Sequence, residues 1–173
     1  GTTYVFTDYL AHVSPEWKEG VGKGTSVAWP AGAGARGNDG IAAYVRNTAG
    51  SIGYLEYAYA ERNHLALVQM QNHAGVFVSP TATSFAQAAQ ATQWDEADLT
   101  AALSDAAGEQ SWPIITTTYV LFPATATQEN EGAAVRRFFR WGLVEGTAVT
   151  GQLDYVPLPE RIRALVLRRL GAE

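Results

Sequence analysis

Short β-prone runs alternate with amphipathic helical runs along the whole chain, and this alternation most narrows the folds open to it: it predicts an α/β sheet. Val5, Phe6, Tyr9, Leu10 and Val13 fall at helical spacing, so a helix is expected over Thr2 to Val13. Thr25 to Trp29 reads as a strand ended by Pro30, and Ala31 to Gly40 as a glycine-rich loop. Asn38 or Asp39 then caps a helix running through Thr48. Ser51 to Tyr57 is a second strand, followed by a short helical stretch over Ala58–Asn63. Leu65 to Gln71 and Val76 to Ser79 flank Asn72-His73-Ala74-Gly75, the pattern of a β-hairpin. The alanine-rich stretches Ser84–Ala91 and Glu96–Ala106 suit helices. Trp112 to Pro123 is a long β-rich run, the natural place for the chain to cross between two lobes. Glu131–Val144 and Pro159–Leu170 close the chain as helices, and Phe138, Phe139 and Trp141 are expected in a core.

Several function classes are excluded or weakened. No apolar run reaches 18 residues, so no transmembrane helix is expected. The 12 basic and 17 acidic side chains give a net charge of −5, against the basic footprint of a nucleic-acid surface. The charge is uneven: 7 of the basic residues follow position 130, and they read as a solvated arginine-rich helix face. With no cysteine there is no disulfide, thiolate metal site or cysteine nucleophile. His12, His64 and His73 lack metal-ligand spacing, and no G-x-S-x-G elbow is present. Asp95, Glu96 and Asp98 are read as the acidic first turn of a helix. Tyr54, Tyr57 and Tyr59, beside Glu56, suit strand packing or the lining of a groove.

Two glycine-bearing motifs remain. Gly32-x-Gly34-x-x-Gly37 matches the dinucleotide-binding fingerprint in form, with a strand before it, a helix after it and Glu56 19 residues beyond Gly37. Pro30 interrupts the turn, and Asn38-Asp39-Gly40 prolongs the loop past the point where the fingerprint needs its helix. The other motif is Gly1-Thr2-Thr3, at the start of the first expected helix. The first amides of a helix have no partner inside it, glycine lets an anion approach the backbone, and the helix dipole favours negative charge there. An ordinary threonine cap explains the same residues. The start at Gly1, without an initiator Met or an apolar leader, is expected for a cut precursor or a piece of a longer protein.

The blocks Gly1-Thr2-Thr3-Tyr4-Val5-Phe6-Thr7-Asp8-Tyr9-Leu10 and Val13-Ser14-Pro15-Glu16-Trp17-Lys18 closely resemble the periplasmic phosphate-binding proteins of ABC phosphate importers (PstS-type). So do Trp29-Pro30, Gly37-Asn38-Asp39-Gly40-Ile41-Ala42-Ala43 and Gly53-Tyr54-Leu55-Glu56-Tyr57-Ala58-Tyr59-Ala60. Trp112-Pro113-Ile114 and Leu153-Asp154-Tyr155-Val156-Pro157-Leu158-Pro159 complete a collinear match over nearly the whole chain. The resemblance implies an α/β, class II periplasmic binding protein fold of two lobes joined by β crossovers, of which only the C-terminal part is here. Residues 1–116 would be the remainder of the second, anion-binding lobe, and residues 117–173 the C-terminal part of the first.

The function so implied is capture of inorganic phosphate in the cleft between the lobes and its delivery to an ABC importer, with no catalysis and no cofactor. Gly1 and Thr2 match the Gly-Thr of the family's phosphate-binding Ser-Gly-Thr, whose Ser and nearby Arg would precede residue 1. The other ligands, a Thr-Phe pair, a Ser and an Asp, would belong to the first lobe. The implied partners are phosphate, the N-terminal half as a second chain, and the importer's permease. The implied location is periplasmic or otherwise exported. In this family the glycine-rich loop binds no dinucleotide. The alternatives are a secreted phosphatase-like enzyme on the same fold and a dinucleotide-binding fragment using Gly32, Gly34 and Gly37.

Overall fold

The computed structural model describes residues 1–121 and 129–171, with the side chains of residues 129–131 left out of account. Helix α1 spans Thr2–Val13, as its apolar spacing dictates. Ser14 ends it in an extended conformation and also opens α2 (Pro15–Gly20), where its hydroxyl accepts from Trp17 N at 3.1 Å. Pro15 fits the first turn because its missing N–H would have had no partner there. The chain then runs through Thr25–Trp29 to α3 (Gly37–Asn47) and α4 (Tyr57–Arg62). Strands β1 (Met70–Gln71) and β2 (Phe77–Val78) form the hairpin, pairing Met70 with Val78. Gly75 supplies its turn at φ +79°. Asn72 braces that turn from inside, accepting from the amides of Ala74 and Val76 and donating to the carbonyls of Gly108, Glu109 and Ser111. Helix α5 (Ala82–Ala91) begins with a capping box between Thr81 and Ser84. Helices α6 (Glu129–Val144), α7 (Thr147–Gln152) and α8 (Glu160–Arg169) end the fold.

The expected α/β sheet is therefore reduced, among the described residues, to the β1–β2 hairpin. Thr25–Trp29 and Ser51–Tyr57 are not strands: the first is irregular, and in the second the chain runs outside regular structure to Glu56 and enters α4 at Tyr57. Ile114 to Leu121 likewise forms no ladder, and Phe122 and Pro123 of that β-rich run lie outside the described residues. β-prone side chains favour extended backbone, but a ladder needs a second strand alongside. Among the described residues none is paired to these segments.

Glu96–Ala106 is not a helix either. Asp95 Oδ1 accepts from Ala97 N at 2.6 Å, and Asp98 Oδ1 accepts from the Thr100 amide and hydroxyl. These local bonds outcompete the helical ladder and leave turns, with Leu99 at φ +62° and a lone bridge between Trp94 and Ala101.

Trp94, Leu103, Ile162 and Leu165 form the core, with Ala89, Leu99, Ala101, Ile115 and Leu158 packed around them. The apolar face of α8 thus packs through Ile162 and Leu165 on Trp94 and Leu103. The face of α6 is different. Phe138 is 61% exposed and Trp141 50%, so the core packing expected of them is not found among the described residues. Phe139 meets Phe138 edge-on, with ring centroids 5.3 Å apart.

An acid-sensitive contact ties α1 to the loop at Ser104. The Asp8 carboxylate, 15% exposed, accepts from Lys23 Nζ at 2.7 Å and from the Ser104 hydroxyl. Burial alone would raise the Asp8 carboxyl, but the bonds from Lys23 and Ser104 and the charges of Lys23 and His12 outweigh it, holding the group below the usual carboxylate range. A depressed folded value contributes stability that is present above the unfolded value and lost as pH falls through the folded one. Asp8→Ala should therefore cost about 1–2 kcal/mol at neutral pH, nearly all through the Ser104 side because Lys23 is exposed. The variant should also lose less further stability on acidification below about pH 5 than the unaltered protein does. Urea titrations at several pH values would check both.

Candidate functional site

The starts of two helices meet at one place. In α1 the first backbone bonds run from Tyr4 N and Val5 N to Gly1 O, so the Thr2 and Thr3 amides stand ahead of the ladder. Gly1 is the N-cap and offers no side chain, and a Cβ built on it would meet nothing within 4 Å. In α3 the N-cap is Arg36, again without a side-chain cap bond, and Gly37 enters the helix at φ +70°. Thr2 Oγ1 donates to Asn38 Oδ1 at 3.3 Å, joining the first turn of α1 to that of α3. Two uncapped N-termini, each with its dipole positive toward that end, thus lie side by side.

Around this point the backbone is held by bonds distant in sequence. Asn38 Oδ1 also accepts from Glu56 N at 3.3 Å, and Asn38 Nδ2 donates to Glu56 Oε2 at 3.4 Å. Glu56 is the N-cap of α4, and hydrogen bonding to its carboxylate, with burial and the carboxylate's charge, holds the Tyr155 phenol above its ordinary value. Thr3 Oγ1 and the Tyr54 hydroxyl are 3.0 Å apart, and the Tyr54 ring stacks on Phe6 with centroids 4.4 Å apart. Trp29 lies against Tyr54 at 5.5 Å and Trp17 against Trp29 at 5.6 Å. Tyr54 therefore anchors α1, and Tyr57 packs edge-on against Phe85.

Gly1 and Thr2, the site residues expected from sequence, stand together at this point. Gly32 and Gly34 do not join them: both are exposed, and a Cβ on either meets nothing within 4 Å. Gly37 alone of the three reaches the site, by heading α3. The strand that the dinucleotide fingerprint needs before its first glycine is not formed, so that alternative has no structural support. Asn38 and Glu56 were not read as partners of Thr2. By sequence Asn38 reads as a cap for α3 and Glu56 as a strand residue; what pairs them is the fold, across 18 positions. Among the described residues no group of three or more His, Asp or Glu side chains is placed to hold a metal ion. No helix among them is long and apolar enough to cross a membrane.

Comparison with known proteins identifies the family. A family model described as a PBP superfamily domain matches residues 1–143. The phosphate-binding protein PstS of Pasteurella multocida is 47% identical over 163 residues, covering 94% of this chain and 47% of that protein. That of Xylella fastidiosa (strain Temecula1) is 44% identical over 163 residues, 94% of this chain and 45% of that protein. The phosphate-binding protein PstS of Methanocaldococcus jannaschii is 32% identical over 189 aligned positions, 99% of this chain and 48% of that protein. The chain spans about half the length of the curated relatives it matches. A match over 1–143, extended by identities this high along nearly all of the chain, leaves one conclusion: the chain belongs to the PBP superfamily, and within it resembles the proteins named phosphate-binding protein PstS.

Proposed function

We propose that these residues form the C-terminal half of a two-lobed, class II solute-binding protein that captures inorganic phosphate in its cleft. The phosphate is passed to the permease of an ABC importer, and the protein does no chemistry of its own. Residues 1–116 complete the anion-binding lobe, and residues 117–173 return to the other lobe. The observation that carries this reading is the meeting of two uncapped helix N-termini at Gly1, Thr2 and Asn38. The relatives named for phosphate binding supply the ligand. Phosphate is small and strongly hydrated, so tight capture needs a closed set of directional donors in place of its water. Local amide dipoles meet that need even in a chain of net charge −5.

The donors at Gly1 and Thr2 do not suffice alone. Each charge-assisted hydrogen bond contributes roughly 1.5–3 kcal/mol, so a few of them fall short of sub-micromolar affinity. The remaining donors, and the cover for the exposed Val135, Phe138 and Trp141 of α6, come from the N-terminal half, present as a second chain or as one polypeptide with this one. Such a protein works where phosphate is collected from outside the cell, in the periplasm or an equivalent exported position.

Isothermal titration of the full-length protein tests the reading. One phosphate should bind per protein, and incubation with a phosphate ester should release no phosphate. Absence of phosphate binding, or steady ester hydrolysis, would contradict it.

A further inference from the structure

We infer that Asn38 positions Thr2 for the anion: it is not a ligand itself but sets where the first turn of α1 presents its donors. The inference rests on the phosphate reading above. The orientation of the Asn38 carboxamide follows from its neighbours. A backbone N–H can only donate, so the oxygen end faces Glu56 N at 3.3 Å; an ionised carboxylate can only accept, so the nitrogen end faces Glu56 Oε2 at 3.4 Å. Glu56 thus grips both ends of the amide. A flipped Asn38 would set N–H against N–H and oxygen against oxygen.

Held this way, Asn38 Oδ1 presents a fixed acceptor to the Thr2 hydroxyl at 3.3 Å. The hydroxyl belongs to the first residue of α1, where no preceding turn restrains the backbone. Asn38 supplies that restraint from a different helix, 36 positions away.

The same arrangement deals with an electrostatic conflict. A carboxylate beside an anion site repels the ligand, yet Glu56 is close enough to share Asn38 with Thr2. Its Oε2 accepts from Asn38 Nδ2, and the Tyr155 phenol interacts with the same carboxylate. The carboxylate orients the amide, and the amide stands between the carboxylate and Thr2. Tyr155 also ties this grip to the segment after α7, where Arg62 bonds the Leu153 carbonyl at 2.8 Å and the Asp154 carboxylate at 3.3 Å.

A double-mutant cycle on the full-length protein, read by phosphate titration, tests the inference. In the unaltered background Asn38→Ala should weaken phosphate binding about three- to tenfold, the loss expected for one oriented hydrogen bond. In a Thr2→Val background, where the hydroxyl is already gone, the same change should cost less than about twofold. Glu56→Ala, which frees the amide to turn, should reproduce the loss seen with Asn38→Ala. An equal loss from Asn38→Ala in both backgrounds would overturn the inference, because a purely structural role is additive. Unchanged affinity in Asn38→Ala, with phosphate still bound by the unaltered protein, would overturn it too. If the unaltered protein binds no phosphate, the functional reading falls and this inference falls with it.

Discussion

Trp94→Ala should destabilise the protein by about 3–5 kcal/mol, the usual cost of emptying a buried aromatic site. Trp94 is 7% exposed and sits at the centre of the cluster with Leu103, Ile162 and Leu165. Its Nε1 donates to the Ala89 carbonyl at 3.0 Å, so the ring also ties the end of α5 to the core. The cavity left by alanine would undercut α8, whose Ile162 is fully buried against the same cluster. Trp94→Phe keeps most of the ring but loses the bond to Ala89, and should cost only about 1–2 kcal/mol beyond the small loss of volume. Denaturant titrations of the full-length protein would give both values. A loss below about 1 kcal/mol in Trp94→Ala would mean that the stabilising core lies elsewhere.

Thr2→Val should weaken phosphate binding roughly ten- to a hundredfold, equivalent to about 1.5–3 kcal/mol. Valine keeps the size and the backbone amide but removes the hydroxyl, and with it the bond to Asn38 Oδ1. The hydroxyl proton goes to Asn38 Oδ1 and so holds the Thr2 amide in place for the anion, and the valine variant loses that restraint. Gly34→Ala is the control. Gly34 is exposed, its added Cβ meets nothing, and its φ lies outside the left-handed region, so alanine there should leave affinity unchanged. The open space around Gly34 leaves no steric reason for a loss of stability either. Wild-type affinity in Thr2→Val together with lost binding in Gly34→Ala would place the anion at the glycine-rich loop instead.

What could be read from the sequence was local. Helix α1 and helix α8 follow from apolar spacing, and the hairpin from Asn72-His73-Ala74-Gly75, because all the information for each lies within one or two turns. Helix α2 was equally local and was missed, although Ser14-Pro15-Glu16 is a helix-start signature. The strands expected at Thr25–Trp29 and Ser51–Tyr57 failed because pairing is not local. Side chains can favour extended backbone, but they do not supply the neighbouring strand. Glu96–Ala106 failed for the opposite reason: the Asp95 and Asp98 side chains captured the backbone amides that alanine propensity had assigned to a helix.

The site divides in the same way. Gly1 and Thr2 are expected at the site from the physics of a helix start and from the blocks shared with phosphate-binding proteins, and the structure sets Thr2 against Asn38. Asn38 and Glu56 lay within those blocks but carried no local mark of their role. Asn38 reads as a helix cap until folding brings it to Thr2, and Glu56 as a strand residue until it grips Asn38.

The central claim is that phosphate is held by the amides at the start of α1. The most direct measurement is the amide nitrogen–proton NMR spectrum of the ¹⁵N-labelled full-length protein, recorded without phosphate and at saturation. The account predicts that the Thr2 and Thr3 amides shift strongly downfield as they become donors to the anion, while Gly32 and Gly34 stay where they were. Saturable phosphate binding that leaves the Thr2 and Thr3 amides unmoved would contradict it.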